Sequence, residues 1–218
     1  MVAIITLSNQ RWQNSMNEDV CVAILAGGQS SRMGQDKSFV ELEDKPLIAH
    51  VIERVNQLAL PTIIITNKPE AYQRFGLPVF TDVWPSRSSL AGLYSAVSLS
   101  SCDYTLCVAC DMPFLNLQLL NYLIGLRRGY DAVVPLIGEH PQGLHAVYHN
   151  TCLATMRQQI EQNQLKIRDL YSLINTYWVG EDTLRQFDGG LSSFVNVNTP
   201  EVLANLNADY RVSGQHTS

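Results

Sequence analysis

The sequence predicts one α/β domain, built on a mainly parallel central sheet with helices on both faces. Short apolar runs of the strand type recur along the chain, and helical patterns fall between most of them. Alternating strands and helices form βαβ units, whose parallel strands are buried on both faces. The chain has 218 residues, 46% of them hydrophobic, which is enough to form one large core.

The first strand is predicted at Val20 to Leu25, a continuous apolar run that ends at a glycine pair. Pro46 then begins a helix, because proline suits the first turn, where its missing N–H is not needed. Apolar residues recur at helical spacing from there through Leu58. The next strand is predicted at Thr62 to Thr66.

The rest of the chain continues this alternation. Further strands are predicted at Val79 to Thr81, Tyr104 to Ala109, Ala132 to Pro135, Leu144 to Tyr148 and Thr176 to Val179. Further helices are predicted at Leu90 to Leu99, Leu117 to Leu126, Thr151 to Gln162 and Pro200 to Leu206. We expect the domain to span residues 20–208, between a flexible amino-terminal extension (1–19) and a flexible tail (209–218).

Charge and cysteine content argue against several classes of protein. A net charge of −5 without a Lys/Arg run disfavours a nucleic-acid partner, which requires a basic surface. No apolar stretch approaches the ~20 residues that span a membrane.

Five cysteines, an odd number within apolar runs, indicate reduced core thiols and a cytoplasmic protein. Cys107 and Cys110 lie three apart on a strand and so face opposite sides, which disfavours a metal site.

The loop after the first strand is a candidate phosphate-binding site. Ligands of open α/β sheets collect beyond the carboxyl ends of strands, and Leu25, Ala26 and Gly27 lie at such an end. Glycines in this loop allow close approach of a phosphate, and successive backbone N–H groups can surround an anion. Arg32 and Lys37 add positive charge. The loop has neither the G-x-G-x-x-G pattern of dinucleotide-binding dehydrogenases nor the Gly-Lys-Ser/Thr of P-loop NTPases. The sequence therefore disfavours both of these protein classes.

Asp111 is the candidate metal ligand. It directly follows the predicted strand Tyr104 to Ala109 and precedes Pro113, which places its carboxylate at the same edge as the loop. There it could hold Mg²⁺ against triphosphate oxygens, because Mg²⁺ takes one or two protein carboxylates and leaves its other positions to water and phosphate. The alternative is an exposed aspartate that caps the following helix.

The complete string from Leu25 to Lys37, LAGGQSSRMGQDK, resembles the signature of the molybdenum cofactor guanylyltransferase family. The resemblance extends over about Val20 to Leu206. It implies a single three-layer Rossmann-like nucleotidyltransferase domain. The string that begins at Asp111, DMPFL, resembles the metal aspartate motif of the family and implies Mg²⁺. The resemblance implies the catalytic residues Arg32, Lys37 and Asp111 and the GTP-binding residues Leu25, Ala26, Gly27, Lys37, Asn67, Asp82 and Asp111.

Asn67 and Asp82 follow the second and third strands, at positions that resemble the nucleotide-contacting residues of the family. An amide and a carboxylate can satisfy the donors and acceptors of a guanine edge. Without the resemblance, each is more typical of a turn.

Three further segments bear on the resemblance. Pro141 to Tyr148 resembles the segment of the family near the acceptor cofactor, and Asn196 to Glu201 resembles its near-terminal motif. By themselves, His145 indicates a core histidine and Asn198 a helix cap. Ser88-Ser89 stands where the family usually has Gly-Pro, and serine can still cap the helix that follows.

The resemblance implies transfer of GMP from GTP to molybdenum-bound molybdopterin, with release of pyrophosphate. Its partners would be GTP, the molybdopterin cofactor and other cofactor-biosynthesis or delivery proteins. The residues alone predict catalysis by positioning and charge stabilisation.

Two alternatives stay open. One is a cytidylyltransferase, or another nucleotidyltransferase with a different phosphorylated acceptor; cytidylyltransferase relatives tend to carry Ala-Ala-Gly in place of Ala26-Gly27-Gly28. The other is a non-catalytic nucleotide- or cofactor-binding protein, for which Ser88-Ser89 is the one hint in the sequence.

Overall fold

The structure, a computed structural model, describes residues 18–27, 37–84 and 88–197. Its strands are β1 (Val20–Leu25), β2 (Glu41–Leu42), β3 (Lys45–Pro46), β4 (Thr62–Ile65), β5 (Val79–Phe80), β6 (Tyr104–Ala109), β7 (Ala132–Ile137), β8 (His140–Pro141), β9 (His145–His149) and β10 (Thr176–Gly180). Its α-helices are α1 (Leu47–Val55), α2 (Pro69–Tyr72), α3 (Ser89–Leu99), α4 (Leu117–Gly125), α5 (Cys152–Glu161), α6 (Ile167–Leu170) and α7 (Glu181–Phe187). Single 3₁₀ turns occupy Lys37–Phe39, Asn56–Leu58, Gln73–Phe75 and Ser192–Phe194.

The central sheet has the strand order β10-β7-β9-β6-β1-β4-β5, and β8 pairs with β7. β1 is parallel to both β6 and β4, so that Val22 lies between Leu106 and Thr62. β4 is parallel to β5 and β7 to β10, whereas β9 is antiparallel to both of its neighbours. The predicted mainly parallel sheet is confirmed. The carboxyl ends of β1, β4, β5 and β6 therefore meet at one edge.

Side chains of β1 alternate between two hydrophobic clusters, one on each face of the sheet. Val22 and Ile24 pack in a cluster that includes residues of α1 and α4, and Ala23 and Leu25 pack in a cluster that includes residues of α3 and α5. This alternation follows from the two-residue period of a strand. The result is helix, sheet and helix in three layers, as predicted.

The cysteines correct one prediction. Cys107, Cys110 and Cys152 are free and buried, but Cys21 and Cys102 form a disulfide whose Cα atoms lie 5.6 Å apart. The expectation of five reduced thiols is wrong for this pair. The parallel pairing of β1 with β6 brings the start of β1 beside the residues that precede β6, 81 positions away along the chain. Nothing in the local sequence reveals that contact.

Cys107 and Cys110 belong to the clusters on opposite faces of the sheet, as the strand period predicts. Across residues 18–27, 37–84 and 88–197, no group of three or more His, Cys, Asp or Glu side chains is placed to hold a metal. No helix within the same ranges is both long and apolar enough to cross a membrane.

Several short elements were not predicted. They are the β2–β3 hairpin, β8, and the helices α2, α6 and α7. The strands among them have two residues each, and two of the helices have four, which is too short for a periodic pattern. The predicted helix Pro200 to Leu206 and the predicted tail at 209–218 lie outside the described residues. Residues 1–17 of the predicted extension also lie outside them.

Asp19 falls within the predicted flexible extension but contacts the domain directly. Its carboxylate accepts hydrogen bonds from Nη2 of Arg127 at 2.7 Å and from Nε at 3.4 Å. Its backbone carbonyl accepts from Tyr104 N at 2.9 Å. The Arg127 side chain is only 3% exposed. Burial raises the pKa of Asp19, but the hydrogen bond and charge of Arg127 outweigh it and hold the pKa below its usual value.

We predict that Asp19→Asn lowers the free energy of unfolding at pH 7 by about 2 kcal/mol, because the buried guanidinium of Arg127 loses its counter-charge. A carboxylate with a depressed pKa contributes stability above its unfolded pKa and loses it as pH falls through the folded pKa. The difference in the free energy of unfolding between Asp19→Asn and the natural protein should therefore shrink below about pH 4. Urea titrations of both proteins at several pH values measure this difference.

Glu53→Gln is the matched control for this prediction. Glu53 pairs with Lys45 at 2.8 Å, but both side chains are more than half exposed. Water screens an exposed pair of this kind, so the control should change the free energy of unfolding little. An equal loss in the two variants would contradict the role assigned to Arg127.

Ala59 ends the turn after α1 in a left-handed conformation, with φ 54° and ψ 37°. Its side chain is exposed, so packing does not offset the strain. Glycine adopts this conformation without penalty, and we predict that Ala59→Gly raises the free energy of unfolding by about 1 kcal/mol. Denaturant titration measures the change. Ala71→Gly, in the right-handed helix α2, should lower stability instead.

Candidate functional site

The candidate site lies at the edge where the parallel strands end. Hydrogen bonds between backbone atoms continue past the ends of the strands. Ala26 N donates to Ile65 O at 2.8 Å, and Cys110 N donates to Leu25 O at 3.1 Å. These bonds fix the direction in which the chain leaves β1 and β6. They set the positions of the residues that follow, which include Gly27 and Asp111.

Asn67 and Asp82, which follow β4 and β5, lie in direct contact. Nδ2 of Asn67 donates to Oδ2 of Asp82 at 2.8 Å. Gly27 lies against the same amide, since a Cβ added at Gly27 would be 3.7 Å from that nitrogen. A Cβ added at Gly92 of α3 would be 3.3 Å from Leu25 and 3.8 Å from Asp82. The fold thus brings Gly27, Asn67, Asp82 and Gly92 together beside the end of β1. The Asn67–Asp82 pair makes this cluster polar.

Helix α3 holds the turn that carries Asp82. Oγ of Ser95 accepts from Val83 N at 2.9 Å and donates to Ala91 O at 2.8 Å. Ser88 caps the helix by accepting from Ala91 N at 3.1 Å, as its sequence position predicts. Ser95 was not predicted, because a serine within a helix gives no signal that it supports a neighbouring loop.

Asp111 is partly buried beside Lys37. Burial raises the pKa of Asp111, and the positive charge of Lys37 acts in the opposite direction. The alternative role as a helix cap does not hold, because Asn116 caps α4 by accepting from Leu119 N at 3.0 Å. Val197 N donates to Asp111 O at 2.9 Å, so the near-terminal segment packs against this residue.

A single carboxylate at this position fits a divalent cation shared with a phosphorylated ligand. Mg²⁺ takes one or two carboxylates and keeps several waters or phosphate oxygens. Desolvation makes the ionised form of Asp111 costly, and a bound divalent cation would compensate that charge.

A cavity of about 320 Å³ opens beside Asp111, and neither Asn67 nor Asp82 lines it. Its wall includes Asp111, Gln142, Gly143, Arg168, Tyr171 and Asn196. Gly143 belongs to the segment that was expected near the acceptor. It has no room for a side chain, since an added Cβ would lie 2.5 Å from the Tyr171 hydroxyl. The hydroxyl of Tyr148 donates to Gly143 O at 2.8 Å and lies 2.8 Å from that of Tyr171.

His145 lies in the core, as its apolar surroundings predict. It is fully buried, and its ring lies 4.5 Å from that of Phe194. Burial lowers the pKa of His145 to about 4, against smaller opposing effects of Ser193 and Asp188. The imidazole is therefore neutral near pH 7 and cannot serve there as an acid.

Two predicted residues have no described position. Arg32 and Asn198 lie in segments outside the described residues. Sequence reasoning also missed three buried residues behind the site, Ser38, Tyr72 and Cys110, which contact one another through their side chains. They are distant from one another along the chain, and no sequence pattern indicates that they meet.

Comparisons with known proteins identify what the chain resembles. The family model described as MobA-like NTP transferase domain matches residues 22–177. A probable molybdenum cofactor guanylyltransferase from Natranaerobius thermophilus is 37% identical over 194 residues, which cover 86% of this chain and 95% of the relative. The molybdenum cofactor guanylyltransferase of Vibrio parahaemolyticus is 36% identical over 185 residues, covering 83% and 91%. The crystal structure of molybdopterin-guanine dinucleotide biosynthesis protein A from Archaeoglobus fulgidus superposes with a TM-score of 0.77 at 27% identity, covering 88% and 98%.

Proposed function

Because the chain belongs to the MobA-like NTP transferase family, we propose that it transfers GMP from GTP to molybdopterin and releases pyrophosphate. Relatives named molybdenum cofactor guanylyltransferase support this function at 37% and 36% identity over most of their length. The observation that carries the proposal is that Asp111 feels the charge of Lys37 and lines a cavity, at the sheet edge where Asn67 and Asp82 also meet. The Asn67–Asp82 pair suits a nucleotide base, and the cavity suits an acceptor.

GTP binds in this proposal across the end of β1, with the guanine against Asn67 and Asp82 and the phosphates toward Lys37. The carboxylate of Asp82 can accept from guanine N1–H and N2–H, while Asn67 holds that carboxylate in place. Leu25, Ala26 and Gly27 remain predicted contacts to the nucleotide. Arg32 remains a predicted contact to the triphosphate.

We predict that Asp82→Asn weakens GTP binding about tenfold to a hundredfold, because an acceptor for two guanine donors becomes partly a donor. Calorimetric titration with GTP, ATP and CTP measures both the loss and the base preference. Glu161→Gln, at the exposed end of α5, is the control and should bind GTP normally. Equal affinity of the natural protein for the three nucleotides would contradict guanine recognition.

Divalent metal use is general among nucleotidyltransferases, and we propose Mg²⁺ with Asp111 as its protein ligand. When bound, the ion would supply positive charge that offsets the charge developing on the phosphate oxygens. Lys37 stabilises the same charge from the protein side. The carboxylate of Asp111 stays ionised at neutral pH when positive charge compensates its burial.

The cavity beside Asp111 is the proposed acceptor site. Its volume of about 320 Å³ lies at the lower end of the range for small-molecule pockets. Arg168 supplies a guanidinium suited to a phosphate, and Gln142 and Asn196 supply amides.

The reaction is an in-line displacement. A phosphate oxygen of the acceptor forms a bond to the α-phosphorus of GTP, the bond from that phosphorus to the bridging oxygen breaks, and pyrophosphate leaves. A phosphate oxygen is already ionised near pH 7, so the step needs no general base.

The decisive experiment incubates the protein with GTP, Mg²⁺ and molybdopterin and identifies the product by mass spectrometry. A guanine dinucleotide with one pyrophosphate per turnover is expected. Equal turnover with CTP would favour the cytidylyltransferase alternative. Nucleotide binding without pyrophosphate release would favour a non-catalytic protein.

We also propose a cytoplasmic location and handover of the cofactor by other biosynthesis or delivery proteins. A cytoplasmic disulfide is unusual, because cellular thiols keep cysteines reduced there. Rapid alkylation of cells at lysis traps free thiols and so tests the location. In the cytoplasm, a fraction of the molecules should have Cys21 and Cys102 reduced and therefore alkylated. Complete oxidation would argue against the cytoplasm.

A further inference from the structure

Three side chains that the proposed mechanism does not use form a buried chain of polar contacts behind the site. The hydroxyl of Tyr72 donates to Ser38 Oγ at 2.7 Å, and Ser38 Oγ lies 3.1 Å from Cys110 Sγ. The carbonyl oxygen of Ala26 lies 3.3 Å from the same Tyr72 hydroxyl and shares its single proton with Ser38 Oγ. Tyr72 is fully buried, Ser38 is 1% exposed and Cys110 is 8% exposed. These contacts are thus shielded from water, which strengthens them.

The contacts join three parts of the backbone that carry the site. Ala26 lies at the end of β1, Ser38 directly follows Lys37, and Cys110 directly precedes Asp111. Tyr72 itself comes from α2, a short helix beyond β4 that contributes no residue to the proposed reaction. One hydroxyl therefore sets the relative positions of the two residues assigned to the chemistry.

The ring of Tyr72 is held in place independently of its hydroxyl. It packs at 4.9 Å from the ring of Phe39 and 6.3 Å from that of Phe75. The guanidinium of Arg74 covers both phenylalanines, at 4.7 and 5.1 Å from their ring centres. A phenylalanine at position 72 keeps this packing and removes only the oxygen.

We propose that Tyr72 is a positioning residue, whose hydroxyl acts through Ser38 to hold Lys37 and Asp111 at the spacing that nucleotidyl transfer requires. The proposal rests on the function proposed above. A displacement of about 1 Å in a reacting assembly can cost a hundredfold in rate, so one buried contact that fixes the spacing has a large effect on turnover.

The first measurement is amide hydrogen exchange of the whole protein, which does not depend on turnover. Tyr72→Phe should increase exchange about tenfold in peptides that contain Ala26 and Ser38, because both lose a shared anchor. Tyr94→Phe is the matched control. Tyr94 is 4% exposed, and its hydroxyl accepts a hydrogen bond from Arg157 at 2.8 Å, away from this chain of contacts. The control should leave exchange at Ala26 and Ser38 unchanged.

The second measurement is pyrophosphate release with GTP, Mg²⁺ and molybdopterin. Tyr72→Phe should lower kcat about tenfold and change the KM for GTP less than about twofold, because guanine recognition is intact. Ser38→Ala should behave similarly. The double variant should be little worse than either single variant, since both remove the same contact. Tyr94→Phe should retain kcat, although it also loses a buried hydroxyl.

The outcomes separate this proposal from the proposed function. If the natural protein releases no pyrophosphate, the function is wrong, and the exchange result alone decides the positioning role. Unchanged exchange at Ala26 and Ser38 in Tyr72→Phe overturns it. So does a kcat of Tyr72→Phe within about twofold of the natural protein, or an equal loss in Tyr94→Phe.

Discussion

Asp111→Asn is expected to lower kcat for GMP transfer by about 10³-fold, the largest effect of any substitution proposed here. The amide has the shape of the carboxylate but no charge, so it cannot offset a divalent cation. Folding should be preserved, since the backbone of Asp111 keeps its bond from Val197. Pyrophosphate release at saturating GTP measures the rate, and its Mg²⁺ dependence measures the ligand role.

Asp103→Asn is the matched control for Asp111. Asp103 precedes the same strand, β6, at the opposite end, where its carboxylate accepts from Asn150 at 3.2 Å. Turnover should be normal in that variant. A kcat of Asp111→Asn within about tenfold of the natural protein would contradict the metal role.

The pKa of Asp111 adds a pH dependence to the same measurement. Burial raises that pKa, so the carboxylate takes up a proton at a higher pH than an ordinary aspartate. Mg²⁺ competes with that proton. The Mg²⁺ concentration for half-maximal rate should therefore rise as pH falls toward the raised pKa, and fall again at higher pH.

Lys37→Ala is expected to lower kcat by about 10²-fold and to raise the KM for GTP, because the triphosphate loses a cation in both the ground state and the transition state. The charge of Lys37 also lowers the pKa of Asp111. Its removal should shift the acidic limb of the rate profile to higher pH. A pH series of pyrophosphate release measures both effects.

Lys45→Ala is the control for Lys37. Lys45 is an exposed lysine of the β2–β3 hairpin that pairs with Glu53. Removing the Lys45 side chain changes the net charge of the protein by the same amount as Lys37→Ala does. Because Lys45 has no role in the proposed site, turnover should stay normal. If both variants lost the same activity, the effect would be one of overall charge rather than of position.

Sequence reasoning could find the strand ends, because the pattern that defines a buried strand is local. Val20 to Leu25 and Tyr104 to Ala109 were predicted with the bounds that the structure shows. The candidates that follow strands, such as Asn67 and Asp111, came from the same reasoning together with a family resemblance. Their placement on one edge follows once the strands are parallel.

The remaining contacts could not be predicted, because they join residues that are distant along the chain. Asp19 meets Arg127 across 108 positions, and Ser38 meets Cys110 across 72. No periodicity records such pairs. The β2–β3 hairpin was hidden for another reason: Glu43 and Asp44 have φ of 50° and 60°, where Asn-Gly is the usual signal.

The central sheet has two portions, one on each side of β6, and the second contains the antiparallel strand β9. β1, β4 and β5, which precede the proposed nucleotide contacts, lie on one side of β6, and β9, β7 and β10 lie on the other. Asp111, at the end of β6, stands at the border. Because the proposed acceptor cavity is lined by residues next to β8 and β9, substitutions there should alter acceptor binding and leave GTP binding unchanged.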